Sequence, residues 1–321
     1  VYSIEANGMI EIARSIAAAN GLADRWSFIQ GFSSAVTVPE RVDVIVCDQI
    51  GHFGIEAEIL QDLSDVRDRF LKPGGRVIPG TIDLVVAPLE APDLFAAVEY
   101  WKSRPAGFDF SPGRRWAANT GYPSTLNRNM LLGAPATGAS VDLRHDGPSP
   151  FLCRAELTID RAGTLHGIGG WFFAHLSPEV TFTNSPLAAE RVTRRNVYFP
   201  TDAPVSVQPG DRVTAAFHII PPSTIGWNVT VERAGSRIAA FRHSTLGGML
   251  LTADDMRRTR PDSVPVLTAR GDARRTVLEL CDGVRTLADV ERELFARHPD
   301  VCPSAAAAST FVAEVVTRYT R

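Results

Sequence analysis

Residues 1–22 read VYSIEANGMIEIARSIAAANGL. A run of strand-forming residues, Val1–Ile4, ends on Glu5. Met9, Ile12, Ala13, Ile16 and Ala17 then recur at helical spacing as far as an Asn20-Gly21 stop. A strand that ends on a carboxylate and hands over to a helix opens a βαβ pattern. Further along, WSFIQG (Trp26–Gly31) predicts a second strand. VDVIVCD (Val42–Asp48) predicts a third, almost wholly apolar, as a strand covered on both faces would be. A helix is expected from about Ile55 to Phe70, closed by Lys72-Pro73-Gly74-Gly75, with RVIPG leading into another strand. Residues 1–80 thus predict an α/β unit with a partial Rossmann-like parallel sheet.

From 81 to 255 the texture changes to β. IDLVVAPLE, FLCRAELTID, GIGGWFFAHL, RVTAAFHII, NVTVERA and RIAAFRH are separated by Gly, Pro, Asp and Asn, with no helical periods between them. Such spacing predicts an antiparallel β-barrel or sandwich, of which the barrel is the expectation here. Pro92 to Asn129, rich in Pro, Gly and aromatic residues, reads as an excursion from it. Residues 262–321 turn helical: Val277, Leu278 and Leu280 precede a Gly283 turn, Thr286 with Asp289 marks a helix start, and a last helix runs from Ser304 to Tyr319. A short strand is expected at Val264–Leu267.

The 321 residues carry 33 Lys+Arg against 36 Asp+Glu, a net charge of −3, which leaves no basic field for nucleic acid. No apolar run reaches membrane-spanning length, so no membrane partner is expected. Four scattered cysteines without a CxxC pair argue against structural zinc and a disulfide framework, and suit a reducing, cytoplasmic setting. No His/Cys/Asp cluster has metal-ligand spacing. The Asn228-Val229-Thr230 sequon reads as a chance match.

Glu5 stands where nucleoside-binding folds place the acid that accepts two ribose hydroxyls; by itself it also fits a solvated sheet edge. The four blocks VYSIEANGMIEIARSIAAANGL, FIQGFSSAV, VDVIVCDQIGHFG and RDRFLKPGGRVIPG together resemble the protein arginine methyltransferase family, class I S-adenosylmethionine enzymes with a sheet domain followed by a β-barrel. The resemblance runs to about Thr252. It implies S-adenosylmethionine as cofactor, with Glu5 and Ala6 at the ribose, Met9 near the sulfonium, Gly31, Ser33 and Ser34 along the adenine, and Asp48 at the donor–acceptor junction.

Three departures accompany it. The family's first strand and Gly-rich turn would precede Glu5; their absence leads us to expect that the natural chain starts further upstream, and that without them Val1–Ile4 and Val42–Asp48 face a gap. Of the two glutamates with which the family grips a guanidinium, the first position is Asp48 and the second Ala57, flanked by Glu56 and Glu58. Where the family carries Thr-His-Trp, this chain has Arg191-Val192-Thr193.

Asp48 and His52 are then the leading acceptor-side groups, with Glu56 and Glu58 as further catalytic candidates. His175 comes next, and His166, His218 and His243 receive no role. The block RRTVLELCDGVRTLADVERELF resembles PqqD-like modules, which implies a leader-peptide site in the tail; helices that merely pack on other parts of the protein fit it as well.

The reading is an S-adenosylmethionine-dependent methyltransferase acting on a peptide or small-molecule (natural-product) acceptor by N- or O-methylation. Its rivals are a catalytically degenerate peptide-binding scaffold and a true arginine methyltransferase. A homodimer is expected, joined through an arm at Phe95–Trp116.

Overall fold

A computed structural model describes residues 1–320. The chain divides into two compact units, Val1–Leu250 and Leu251–Arg321.

The first unit opens with β1 (Tyr2–Glu5), α1 (Met9–Ala19), β2 (Ser27–Gln30), β3 (Val42–Val46), α2 (Ile59–Phe70) and β4 (Leu71–Ile78). β1 pairs in parallel with β2, and β3 with β4, as two separate two-stranded sheets. The expected discontinuity between β1 and β3 is therefore present. The reading of 42–48 as covered on both faces is corrected: Val44 and Val46, on one face of β3, are exposed because no layer covers that face. The apolar stripe predicted for α1 is likewise split. Ile10 and Ala17 are buried, whereas Met9, Ile12 and Ile16 face outward.

Two further boundaries move. Glu58 has φ 66°, a left-handed backbone that breaks helical continuity, so α2 starts at Ile59 rather than near Ile55. Lys72-Pro73-Gly74-Gly75 does not cap the helix; it lies within β4, where the ladder to β3 shifts register between Val42 and Val44.

The β region comprises β5 (Thr81–Leu89), α3 (Pro92–Glu99), α4 (Arg114–Ala118), β6 (Tyr122–Ser124), β7 (Ala136–Asp142), β8 (Phe151–Thr158), β9 (Gly163–His175), β10 (Thr181–Thr183), β11 (Asn196–Val207), β12 (Arg212–Ile220), β13 (Thr224–Arg233) and β14 (Ser236–Ser244). It forms two antiparallel sheets, β6-β11-β9-β5-β7 with β10 on β9, and β14-β13-β12-β8. Among the described residues no hydrogen-bonded ladder joins the two sheets, so the β-barrel expectation gives way to a pair of face-packed sheets, the sandwich alternative.

Their interior is continuous with the α/β part. Ile59, Leu60, Leu63, Val66 and Phe70 lie on one face of α2 and share a core with Ile82, Leu84, Phe172, Phe199, Phe217 and Trp227. Residues 1–80 thus have no separate core of their own, and the boundary drawn at 80 is not a packing boundary. The excursion after β5 is half core and half surface: Phe95 and Val98 are buried, and Tyr100 and Phe108 are exposed.

The second unit holds α5 (Ala253–Arg258), α6 (Ala269–Leu280), α7 (Leu287–Arg297) and α8 (Ala305–Tyr319). Val277, Leu280, Val290, Leu294, Phe311, Val312 and Val315 close its core. Thr286 and Asp289 form the expected capping box. The strand expected at Val264–Leu267 is absent: that segment belongs to no ladder, and Val264 and Val266 are almost fully exposed. Among the described residues no helix is long and apolar enough to cross a membrane.

Candidate functional site

The carboxyl ends of parallel strands are where an open α/β sheet presents ligands. Here the ends of β1 and β2 present Glu5 and Gly31 side by side, and Asp48 follows the end of β3. Register pairs Glu5 with Gln30, and Gly31 N–H donates to the Glu5 carbonyl at 3.0 Å, so the two strand ends are locked side by side. Gly31 has φ 152°, and a Cβ there would lie 2.7 Å from Val36 Cγ1, so only glycine fits without displacement.

The loop beyond it is held from α2. Arg69, paired with Asp65, donates to the carbonyls of Ser33 and Val36. The side chain of Glu5 is half-buried; one oxygen accepts the Asn7 N–H at 2.9 Å, which leaves the other free for a hydroxyl. This set fits the ribose of the nucleoside that the resemblance implies. Ala6 and Met9 follow on the exposed turn into α1, and Ser34 is exposed beside half-buried Ser33. A shallow hollow at Asp43, Val44 and Lys72–Arg76 lies at the opposite, amino-terminal ends of β3 and β4 and is no part of this edge.

The second half of the site is the loop from Asp48 to Glu58. Phe53, fully buried, wedges it into the core against Phe199 and Phe217, with ring centroids 5.5 Å from each. Gly54, at φ 110°, lies so close to Ile82, Leu84 and Phe172 that a Cβ would fall 3.0–3.2 Å from their side chains. Glu56 turns inward: its carboxylate accepts the N–H of Phe53 at 2.6 Å and of Ile55 at 3.1 Å. Glu58 is exposed at the helix start. Of the two flanking glutamates, therefore, Glu56 braces the loop and is corrected from acceptor-side candidate to loop brace.

Asp48 is exposed at the end of β3. His52 is half-exposed and its Nδ1 donates to the carbonyl of Arg195 at 3.1 Å. In the neutral ring this contact assigns the proton to Nδ1 and leaves the Nε2 lone pair unshared.

Sequence reasoning missed the residues that fix this geometry. Asn184, fully buried, donates from Nδ2 to the carbonyls of His52 and Arg195, each at 2.8 Å, and accepts the Phe172 N–H at 3.0 Å. Asn196, also buried, donates to the Asn184 carbonyl at 2.6 Å and accepts the Leu126 N–H at 3.1 Å. The sole trace in the sequence is a pair of asparagines flanking the polar 185–195 loop, which reads as ordinary turn composition. Asp62 was missed as well: burial, then the neighbouring Glu58 and Asp65, push its carboxyl upward.

His175 is not brought to this edge. Its Nε2 meets Asp83 at 2.7 Å across β5 and β9, making a local hydrogen bond. His166 is buried, with Nδ1 accepting the Ala91 N–H, and His243 is buried against Trp227. Among the described residues no group of three or more His, Cys, Asp or Glu is arranged to hold a metal.

No protein-family model matches the chain. It is 25% identical to protein arginine N-methyltransferase 6 of Xenopus laevis over 240 residues, 69% of this chain and 68% of the relative. It is 32% identical to a probable protein arginine N-methyltransferase 6 of Arabidopsis thaliana over 185 residues, 55% of this chain and 42% of the relative. The chain therefore spans from about two fifths to two thirds of the length of these relatives. Among solved structures, it resembles the PRMT1 enzyme–prozyme heterotetrameric complex with AdoHcy from Trypanosoma brucei, with TM-score 0.67 and 20% identity over 76% of this chain and 81% of that one. Arabidopsis thaliana protein arginine methyltransferase 10 gives TM-score 0.65 and 21% identity, covering 76% and 82%. The fold over about three quarters of the chain is thus that of the arginine methyltransferases.

Proposed function

We propose that this chain is an S-adenosylmethionine-dependent methyltransferase, acting on a nitrogen or oxygen of a peptide or small-molecule acceptor. The cofactor, when bound, supplies an electrophilic methyl group. Glu5 holds its ribose, Gly31 lets the base approach the backbone, and Asp48 and His52 face the acceptor. The observation that carries this reading is the fixed orientation of His52. With Nδ1 committed to the Arg195 carbonyl, which Asn184 also holds, Nε2 is a positioned proton acceptor on the loop that begins at Asp48.

Titration calorimetry with S-adenosylhomocysteine tests the donor half. Binding by the wild type, weakened about tenfold or more in Glu5→Ala through loss of a charged hydrogen bond, is expected. No binding by the wild type would leave a peptide-binding scaffold as the better reading.

Arginine as acceptor is a second reading, favoured by the names of the relatives. Ala57 at the second glutamate position and the inward turn of Glu56 weigh against it. Robust methylation of arginine peptides, abolished by Asp48→Asn or Glu58→Gln, would establish it instead. Dimerisation through the excursion after β5 belongs to the same proposal, since Tyr100 and Phe108 offer apolar surface there.

A further inference from the structure

The loop that leads into β11 reads Glu190-Arg191-Val192-Thr193-Arg194-Arg195. It is firmly seated. Val192 packs on the main core and its N–H donates to the Thr183 carbonyl at 2.9 Å, while the Arg195 carbonyl takes hydrogen bonds from both His52 and Asn184. Arg191 and Arg195 are exposed and Arg194 half-exposed. Among the described residues none of the three has a carboxylate within ion-pair distance, although 16 other arginines of this chain do, and neighbouring Glu190 does not fold back on them. A firmly seated loop thus carries three arginines without an ion-pair partner, and its Arg195 carbonyl holds the His52 ring.

From this we infer that the acceptor is an acidic peptide, whose carboxylates dock on Arg191, Arg194 and Arg195. The inference rests on the methyltransferase reading for its word acceptor, but not for the binding itself. Guanidinium groups match carboxylates as paired, planar hydrogen-bond partners. Four chain steps from Arg191 to Arg195 reach at most roughly 14 Å, the length of about four extended residues, so a peptide with several carboxylates fits better than a single small anion. The loop that carries His52 also carries Asp48 and Glu58, both exposed. They would repel the same peptide, which places its acidic stretch on the β11 side and leaves a neutral or basic residue to face Asp48.

Fluorescence anisotropy of the full chain with a labelled ten-residue Asp/Glu-rich peptide tests this, beside its Asn/Gln counterpart and an Arg-rich peptide. Preferential binding of the acidic peptide is expected, weakening with added salt and falling about tenfold or more in the triple variant Arg191→Gln/Arg194→Gln/Arg195→Gln. Circular dichroism checks that the triple variant is folded; single substitutions, each expected to weaken binding severalfold, replace it if it is not. Equal binding of the Asn/Gln peptide, preference for the Arg-rich one, or an unchanged affinity in folded variants would overturn the inference. Inorganic polyphosphate that displaces the peptide while the Asn/Gln counterpart binds as well would mark a generic anion surface, which also overturns it. Calorimetry with S-adenosylhomocysteine on the same variants reads the donor half separately: it should be unchanged, and its failure in the wild type would sink the methyltransferase reading while leaving the peptide result standing.

Discussion

The carboxylate of Glu56 closes onto the main-chain N–H of Phe53, 2.6 Å away, so the glutamate nearest in sequence to an acceptor role serves as a brace. A Cβ on Gly51 would fall 2.3 Å from the same carboxyl group, so the loop is built around it. Glu56→Ala frees two main-chain donors and should cost about 1–3 kcal/mol in urea unfolding. Glu58→Gly, which relieves a left-handed backbone, should instead stabilise by roughly 1 kcal/mol. Equal and negligible effects at both positions would contradict the assignment.

The Asn184 side chain satisfies three main-chain groups in a buried setting. Asn184→Leu leaves them unpaired and is expected to destabilise by about 2–4 kcal/mol and to release His52 from its fixed orientation. Histidine NMR titration would detect the release as a change in tautomer ratio. Asn184→Asp, which removes the two donors and sets a buried carboxylate against two carbonyl oxygens, should loosen His52 with at least as large a loss of stability.

Gly54 cannot be replaced quietly. Its backbone angle and the three side chains facing it make Gly54→Ala costly on both counts, about 3 kcal/mol together. Thermal denaturation showing no loss would mean that the loop can re-route around Phe53.

Burial holds the His243 imidazole below its usual value of 6.5, with Asp202 opposing that shift and Arg114 adding to it. Neither ring nitrogen has a hydrogen-bond partner, and the ring stacks on Trp227 at 5.3 Å. The unfolded chain therefore takes up the proton first as pH falls, and stability should decline from about pH 6.5 down to the lowered folded value. His243→Phe removes this slope and should be at least as stable as the wild type at neutral pH. An unchanged pH profile of unfolding would show that the slope arises elsewhere.

Tyr100 and Phe108 predict self-association. Light scattering should give twice the monomer mass, and Tyr100→Asp/Phe108→Asp should halve it; a monomeric wild type would end this part of the proposal.

Much of this was legible beforehand. Glu5 at a strand end, the βα alternation to residue 80 and the capping box at Thr286 follow from local patterns, and local patterns survive folding. What escaped depended on the third dimension. Period-two alternation does not distinguish sheets that close from sheets that stack, since both have one inward face per strand. The solvent exposure of Val44 and Val46 depends on which layers lie nearby rather than on the valines. The role of Glu56 arises from a backward turn onto Phe53 three residues earlier, while Asn184 and Asn196 act across gaps of 132 and 70 residues. No window of sequence contains both ends of such a bond.

Phe53 belongs at once to the acceptor loop and to the aromatic cluster between the sheets. Any drift in the packing of Phe199 or Phe217 is therefore transmitted to the imidazole one residue away. Acceptor preference in such a protein would be inherited through its interior as much as through its rim, and mutations that retune it can be sought in residues no substrate ever meets.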